Sequence, residues 1–178
     1  MRWSVLFIKI VKNEWVKTWP TFIPELVGAS KTNQSLCENN LNLLKLLSEE
    51  IFEYSKESMT STQISQLKNS FKKEFKMIFD LCLYVFQNFL KNSQVVKVSL
   101  VKACISCINS LLIWIPLSYI FLSNLIDKIL LNLLSNGQFR LAVLRCLVQI
   151  SSLRFDSVQE QSKTQLKEKV YTMWGTFL

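Results

Sequence analysis

Reactive side chains are few in this sequence, and their spacing limits the chemistry that it could carry. Cys104 and Cys107 have the two-residue spacing of redox and zinc motifs, and Glu49 and Glu50 are adjacent carboxylates. Both pairs fall in helical patterns, where the cysteines would lie on a buried stripe and the two carboxylates would diverge by about 100°. The chain also contains no histidine, the commonest general base and metal ligand. We therefore expect no enzyme activity, no metal site and no cofactor.

The composition predicts a helical protein with a sizeable core. Of the 178 residues, 49% are apolar, and only three are glycine and three proline, which disfavours turn-rich β architectures. The 21 basic and 13 acidic residues give a net charge of +8, which is compatible with an acidic partner, although the codon bias of an AT-rich genome would also explain the many lysines. Five cysteines fall in apolar helical stretches and favour a reducing compartment. They are Cys37, Cys82, Cys104, Cys107 and Cys146.

The apolar periodicity predicts eight helical segments joined by short links. These cover residues 3–14, 20–29, 35–54, about 64–89, 95–115, 117–134, 139–151, and a last helix from about Ser157. Short links make consecutive helices antiparallel neighbours, so the chain is predicted to be a string of helical hairpins. The hairpins cover about 20–56, 63–115 and 117–152, with half repeats at 3–14 and 157–178.

The spacing of these hairpins predicts one continuous all-α superhelix. Their first helices begin near Pro20, Ile64, Leu117 and Ser157, at intervals of 44, 53 and 40 residues. HEAT and armadillo repeats have periods of about 40 to 47 residues. Each hairpin has an apolar face that only a neighbouring hairpin can bury, and in such solenoids the second helices line the concave surface. We therefore predict a single HEAT-repeat segment over residues 1–178.

One uncharged stretch keeps a membrane-spanning helical protein open as an alternative. Residues 103–126 are 24 residues without a charge, which is long enough to cross a bilayer. Pro116 near the middle of the stretch, and Asn109 and Asn124, would need internal partners in hydrocarbon. Two apolar stripes at helical spacing instead favour an inner helix covered on two sides. We favour the second interpretation.

Five motifs carry a resemblance to a known family over about residues 5 to 122. They are Glu14-Trp15-x-x-x-Trp19-Pro20-x-Phe22, Val27-Gly-Ala-Ser30, Leu36-Cys37-Glu-Asn-Asn40, Leu44-Lys-Leu-Leu-Ser-Glu-Glu50 and Trp114-Ile-Pro116-Leu117-x-Tyr119-Ile-Phe121. In these motifs the sequence resembles the karyopherin-β (importin-β) superfamily and, within it, the exportins for leucine-rich nuclear export signals. Trp15, Trp19, Pro20, Phe22, Trp114 and Pro116 are the structural residues of this pattern. Val16 departs from it, because the family usually has a second proline there.

The resemblance implies a transport receptor of the nucleus and cytoplasm that shuttles through nuclear pores. Such exportins carry cargo with the GTP form of Ran and contact Phe-Gly nucleoporins. The motifs match the amino-terminal third of these much longer receptors, so the resemblance implies a segment without the central cargo groove. It also implies that none of the five cysteines is the reactive cysteine of that groove.

Basic residues on the predicted second helices are the candidates for a concave partner surface. They are Lys9, Lys12, Lys45, Lys97, Lys102, Arg140 and Arg145. Together they would attract acidic patches on Ran or on cargo. The simpler interpretation, ordinary solvated side chains, stays open. A basic helical-repeat protein that binds nucleic acid is a further alternative, although only four arginines are present to meet phosphates.

Overall fold

The computed structural model describes residues 2–54, 59–116, 119–120, 123, 125–153, 171 and 175. Its α-helices are α1 (Arg2–Thr18), α2 (Phe22–Ser30), α3 (Gln34–Glu49), α4 (Ser61–Lys91), α5 (Val98–Leu111), α6 (Leu131–Leu134) and α7 (Arg140–Ser151). Two π-helical segments are π1 (Glu50–Tyr54) and π2 (Leu125–Leu130). No strand occurs among the described residues, and the predicted all-α class is confirmed. The chain divides into two compact units, Met1–Leu111 and Leu112–Leu178.

The corner between α1 and α2 differs from the sequence-based prediction at both of its ends. Helix α1 continues to Thr18 rather than ending at Glu14, because Trp15 still lies on its buried face. The helix stops before Pro20, which disfavours the helical conformation for the residue that precedes it. Pro20 itself lies in the turn, and α2 begins two residues later at Phe22.

The start of α4 is well defined by its cap. Thr60 accepts a hydrogen bond from the backbone amide of Gln63, and the side chain of Gln63 accepts one from the backbone amide of Thr60. This capping box satisfies two amides that the first helical turn would leave unpaired. The 31-residue helix that follows presents a stripe of phenylalanines to the core, including the fully buried Phe71, Phe79 and Phe86.

Helix α5 is shorter than the predicted segment 95–115. Before it, Asn92 holds a turn, accepting bonds from the amides of Gln94 and Val95, so the helix begins only at Val98. After it, the chain turns at residues 112–114 and reaches Pro116, which has no amide hydrogen to donate to a further helical turn. With 14 residues α5 is about 21 Å long, against a hydrocarbon thickness of about 30 Å. Within the described ranges, no helix combines the length and the apolar character needed to cross a membrane.

The first unit contains two helical hairpins stacked side by side. Helix α2 packs on α3 and α4 packs on α5, while α3 lies along α5 and α2 along α4. The neighbours α3 and α5 are parallel, since Ser35 meets Lys97 at their starts and Ser48 meets Ser110 near their ends. Helix α1 packs against α3, π1 and α4. This arrangement places second helices in one layer and first helices in another.

The second unit contains a helical run from Leu125 to Leu134, made of π2 and α6, with α7 packed against α6. Phe139 is fully buried and precedes the first residue of α7. The predicted helix 139–151 agrees with α7. The predicted helix 117–134 is not continuous, because the chain bends at Ser123, whose hydroxyl accepts a hydrogen bond from the amide of Leu125, and the helical run from Leu125 begins only after this bend. Residues 117–118, 121–122 and 124, and the helix predicted from Ser157, lie outside the residues that can be assessed.

Candidate partner surface

Three of the predicted basic residues lie on the layer formed by α3 and α5 and their linkers. Lys102 is exposed, and Lys97 precedes α5 and donates a hydrogen bond from Nζ to Ser35 Oγ at 2.8 Å. Lys45 on α3 is partly buried and lies 3.7 Å from Glu49, one helical turn away. Glu49 therefore offsets part of the charge of Lys45, whereas the neutral hydroxyl of Ser35 orients the ammonium of Lys97 without cancelling its charge.

The predicted residues on α1 have opposite environments. Lys9 is exposed to solvent. Lys12 is only 5% exposed, and its Nζ donates a hydrogen bond to Glu50 Oε1 at 2.6 Å. The ammonium of Lys12 thus faces the interior between α1 and π1 and is not presented to solvent. Its role in this structure is to hold two elements together.

The two predicted arginines lie in the second unit. The guanidinium of Arg140 donates hydrogen bonds to the carbonyls of Leu134 and Ser135, at 3.3 and 3.4 Å. These are carbonyls at the end of α6, where a cation compensates the negative end of the helix. Arg145 is exposed on α7. Arg140 therefore caps a helix, and Arg145 is the more accessible charge of the two.

The cysteine pair at Cys104 and Cys107 is packed in the core, as the buried stripe predicted. Both thiols are completely buried and lie within hydrogen-bond range of Cys82 on α4. Burial raises the pKa of Cys104, and the hydrogen bond with Cys82 together with burial raises that of Cys107. Thiols that stay protonated are poor nucleophiles and poor metal ligands. In the part of the chain that the structure describes, no group of three or more candidate ligands could hold a metal ion.

The aromatic motif residues at the α1–α2 corner pack in the way expected of structural residues. Trp15 is 2% exposed and meets Phe71 of α4 edge to face, with ring centroids 6.0 Å apart. Trp19 is 40% exposed, packs 5.0 Å from Phe22 and donates from Nε1 to Glu25. Trp19 therefore contacts residues close to it in sequence, whereas Trp15 joins α1 to α4.

The later motif residues mark the link after α5. Trp114 is partly exposed and lies in the turn that follows the helix. Pro116 is exposed and lies outside the helices. Both residues therefore lie in the non-helical link that follows α5.

One positioning residue has no signal in the sequence. The side-chain amide of Gln34 donates to the carbonyl of Val95 at 2.8 Å and accepts from the amide of Lys97 at 2.9 Å. It thereby joins the start of α3 to the linker before α5. Because its partners lie 61 and 63 residues away, no local pattern could have identified this contact.

The stacking of helical hairpins in the first unit is typical of a helical-repeat scaffold. The buried thiols belong to the core of that scaffold. A family model described as "Exportin 1-like protein" matches residues 1–147 of the chain. The match covers more than half of the sequence, and the chain belongs to this family.

Individual relatives give the same assignment. The chain is 43% identical to Exportin-1 of Schizosaccharomyces pombe over 172 residues, which are 97% of this chain and 15% of that protein. It is 42% identical to Exportin-1 of Dictyostelium discoideum over 164 residues, 88% of this chain and 15% of the relative. It is 44% identical to EXPORTIN 1B of Arabidopsis thaliana over 152 residues, which are 85% of this chain and 14% of that protein. The chain thus spans about one seventh of the length of these relatives.

Proposed function

We propose that this chain acts as a segment of a nuclear export receptor. The receptor would carry cargo proteins with leucine-rich export signals from the nucleus to the cytoplasm, together with the GTP form of Ran. The observation that carries this proposal is 43% identity to the fission yeast exportin over 97% of the chain. The receptor would shuttle through nuclear pores by weak contacts with Phe-Gly nucleoporins.

Within such a receptor this segment would serve as a non-enzymatic spacer of stacked hairpins. Successive hairpins pack on each other through α3 against α5 and through α2 against α4. Solenoid repeats gain stability from such packing between neighbours, which supports this role. The buried thiols support a structural role for the cysteines. Cargo recognition would then belong to parts of the receptor that this segment does not include.

A chimaeric receptor tests this function. The matching segment of the S. pombe exportin is replaced by this chain, and the chimaera is produced in cells whose own exportin can be switched off. The readout is the nuclear-to-cytoplasmic ratio of a fluorescent reporter that carries a leucine-rich export signal. We expect the chimaera to keep the reporter cytoplasmic.

A control with a disrupted core and a check of the protein level make the result interpretable. A chimaera with Trp15→Asp and Phe71→Asp should fail to export the reporter, because a buried carboxylate without a partner disrupts the core between α1 and α4. A chimaera that accumulates to the level of the natural receptor, and still leaves the reporter nuclear, would contradict the proposal.

We also propose that Lys97 and Lys102 contribute to attraction of an acidic partner. In the chimaera, Lys97→Glu with Lys102→Glu should slow formation of the complex with Ran-GTP and cargo at low salt, and the difference should shrink as salt is raised. The matched control is Lys72→Glu with Lys76→Glu, which makes the same change of charge at two exposed positions of α4, in the layer formed by α2 and α4. Equal salt dependence of association for the natural and the Lys97/Lys102 receptors would remove this role.

A further inference from the structure

Two adjoining clefts run along α4 in the first unit. One has a volume of about 410 Å³ and lies between the ends of α2 and α4 and the starts of α3 and α5. The other has a volume of about 370 Å³ and lies beside α2. They share Lys31, Leu81 and Tyr84 among the residues that line them. We call the two clefts together the α4 groove.

The α4 groove has the length of a short extended peptide. Helix α4 lines it from Met77 to Lys91, at positions that recur with helical spacing. The 14 steps from the first to the last of these 15 residues correspond to about 21 Å along the helix axis. An extended chain advances about 3.3 Å per residue, so six or seven peptide residues would fill the groove. A compact small molecule would occupy only one of the two clefts.

The floor of the α4 groove is apolar, and its margin combines exposed apolar residues with polar ones. Leu81, Val85 and Leu100 form a closely packed floor, each of them buried. Tyr84 and Val95 at the margin are 56% and 62% exposed, which is unusual for residues of this size beside a concave surface. A bound apolar side chain would therefore remove water from both the ligand and the margin.

The charges around the α4 groove favour an acidic ligand. Lys31 lines both clefts, and Lys91 lies at the far end of the first cleft. In the described part of the chain, neither ammonium has an ion-pair partner, although two other lysines do. Asp80 is the acidic residue in the lining of the second cleft, at the opposite end from Lys91. The positive end of the groove is thus free to meet carboxylates.

We propose that the α4 groove binds a short, extended, acidic segment of a partner protein. Side chains alternate between the two faces of an extended chain, so apolar residues at alternate positions would face the floor of the groove. Acidic residues between or after them would meet Lys31 and Lys91. The proposal stands on the clefts, the exposed apolar side chains of Tyr84 and Val95 and the unpaired lysines, and does not depend on the proposed export function.

A displayed library of random seven-residue peptides tests this binding. The library is selected against the 178-residue chain, and the most enriched peptide is synthesised with a fluorophore and titrated by fluorescence anisotropy. We expect enrichment of Asp and Glu together with large apolar residues. Lys31→Glu with Lys91→Glu should weaken binding at least tenfold, and Tyr84→Ala with Val95→Ser should do the same.

The matched control is Lys72→Glu with Lys76→Glu, which makes the same change of charge on exposed positions of α4 outside the groove. It should alter the dissociation constant by less than threefold. A peptide whose acidic residues are replaced by lysine should bind the Lys31/Lys91 variant better than the natural chain, which also shows that the variant is folded. Failure to enrich any peptide, enrichment of basic peptides, or equal weakening by both lysine pairs would overturn the proposal.

Discussion

Lys12 on α1 and Glu50 at the start of π1 form a buried ion pair, with Nζ and Oε1 2.6 Å apart. The side chains are 5% and 16% exposed, and 38 residues separate them in sequence. The contact fixes the inner face of α1 against the point where α3 passes into π1. It contrasts with Lys45 and Glu49, one turn apart on the same helix, which are 33% and 29% exposed.

Removing the carboxylate of this pair should destabilise the first unit strongly. Glu50→Gln leaves the charge of Lys12 buried without its carboxylate, and breaking a buried ion pair costs about 3 kcal/mol or more. Replacing both residues by apolar ones, as in Lys12→Met with Glu50→Leu, should bring the free energy of unfolding back to within about 1 kcal/mol of the natural chain. Urea denaturation followed by circular dichroism measures both effects.

The neighbouring pair provides the matched control. Glu49→Gln removes an i, i+4 partner from a pair that water reaches, and such pairs contribute about 0.3 to 0.5 kcal/mol. If Glu49→Gln and Glu50→Gln lowered the free energy of unfolding equally, burial would not be the source of the effect.

The burial of Lys12 illustrates how far sequence patterns reach. The sequence predicted Lys12 on the partner surface because of its charge, although it shares a helical face with Ile8 and Trp15, at spacings of four and three residues, and is buried. The identity of its partner was not readable, because Glu50 belongs to another helix and nothing local links the two positions. Periodicity identifies the face of a helix, whereas the pairing of faces depends on three-dimensional packing.

The side chain of Gln34 should control the local opening of the linker before α5. Gln34→Ala removes the acceptor for the amide of Lys97 and the donor to the carbonyl of Val95. Each such bond contributes about 0.5 to 1.5 kcal/mol net, so the Lys97 amide should exchange with deuterium about tenfold faster. Hydrogen exchange read by nuclear magnetic resonance at single amides gives this rate.

Two variants separate this contact from a general loss of stability. Gln34→Glu keeps an acceptor for the Lys97 amide but loses the donor to Val95, and should leave the exchange of Lys97 close to that of the natural chain. Gln94→Ala, at an exposed side chain in the same linker, should also change little. Unchanged exchange in Gln34→Ala would mean that the bond seen in the structure is not maintained in solution.

The ends of helices show a second limit of the sequence patterns. The stripes of α3 and α4 predicted long helices correctly, because many apolar positions at helical spacing agree with one another. The end of α1 was predicted too early, at Glu14 instead of Thr18. The pattern around Trp15 fits both a corner motif and the last buried residue of a helix. The start of α5 was misplaced because the turn at Asn92 depends on its own hydrogen bonds to Gln94 and Val95, which an apolar pattern does not record.

The buried thiols should make the protein less stable at alkaline pH. Burial raises the pKa of Cys37 to about 11 and that of Cys146 to about 12, against an ordinary value of 9.0. Between pH 9 and 11 the unfolded chain loses these protons while the folded chain keeps them, so proton release favours unfolding. Each thiol then lowers the free energy of unfolding by up to about 1.4 kcal/mol per pH unit in that range. Well below pH 9 neither thiol makes the free energy of unfolding depend on pH.

Urea denaturation from pH 7.5 to 10 under reducing conditions measures this slope. In the variant with Cys37→Ala and Cys146→Ala, the loss of stability above pH 9 should be shallower, even though the cavities lower its stability at pH 7.5. The slope, rather than the absolute stability, reports the thiols, because a cavity has the same cost at every pH. Parallel curves for the variant and the natural chain above pH 9 would show that these cysteines ionise as readily in the folded protein as in the unfolded one.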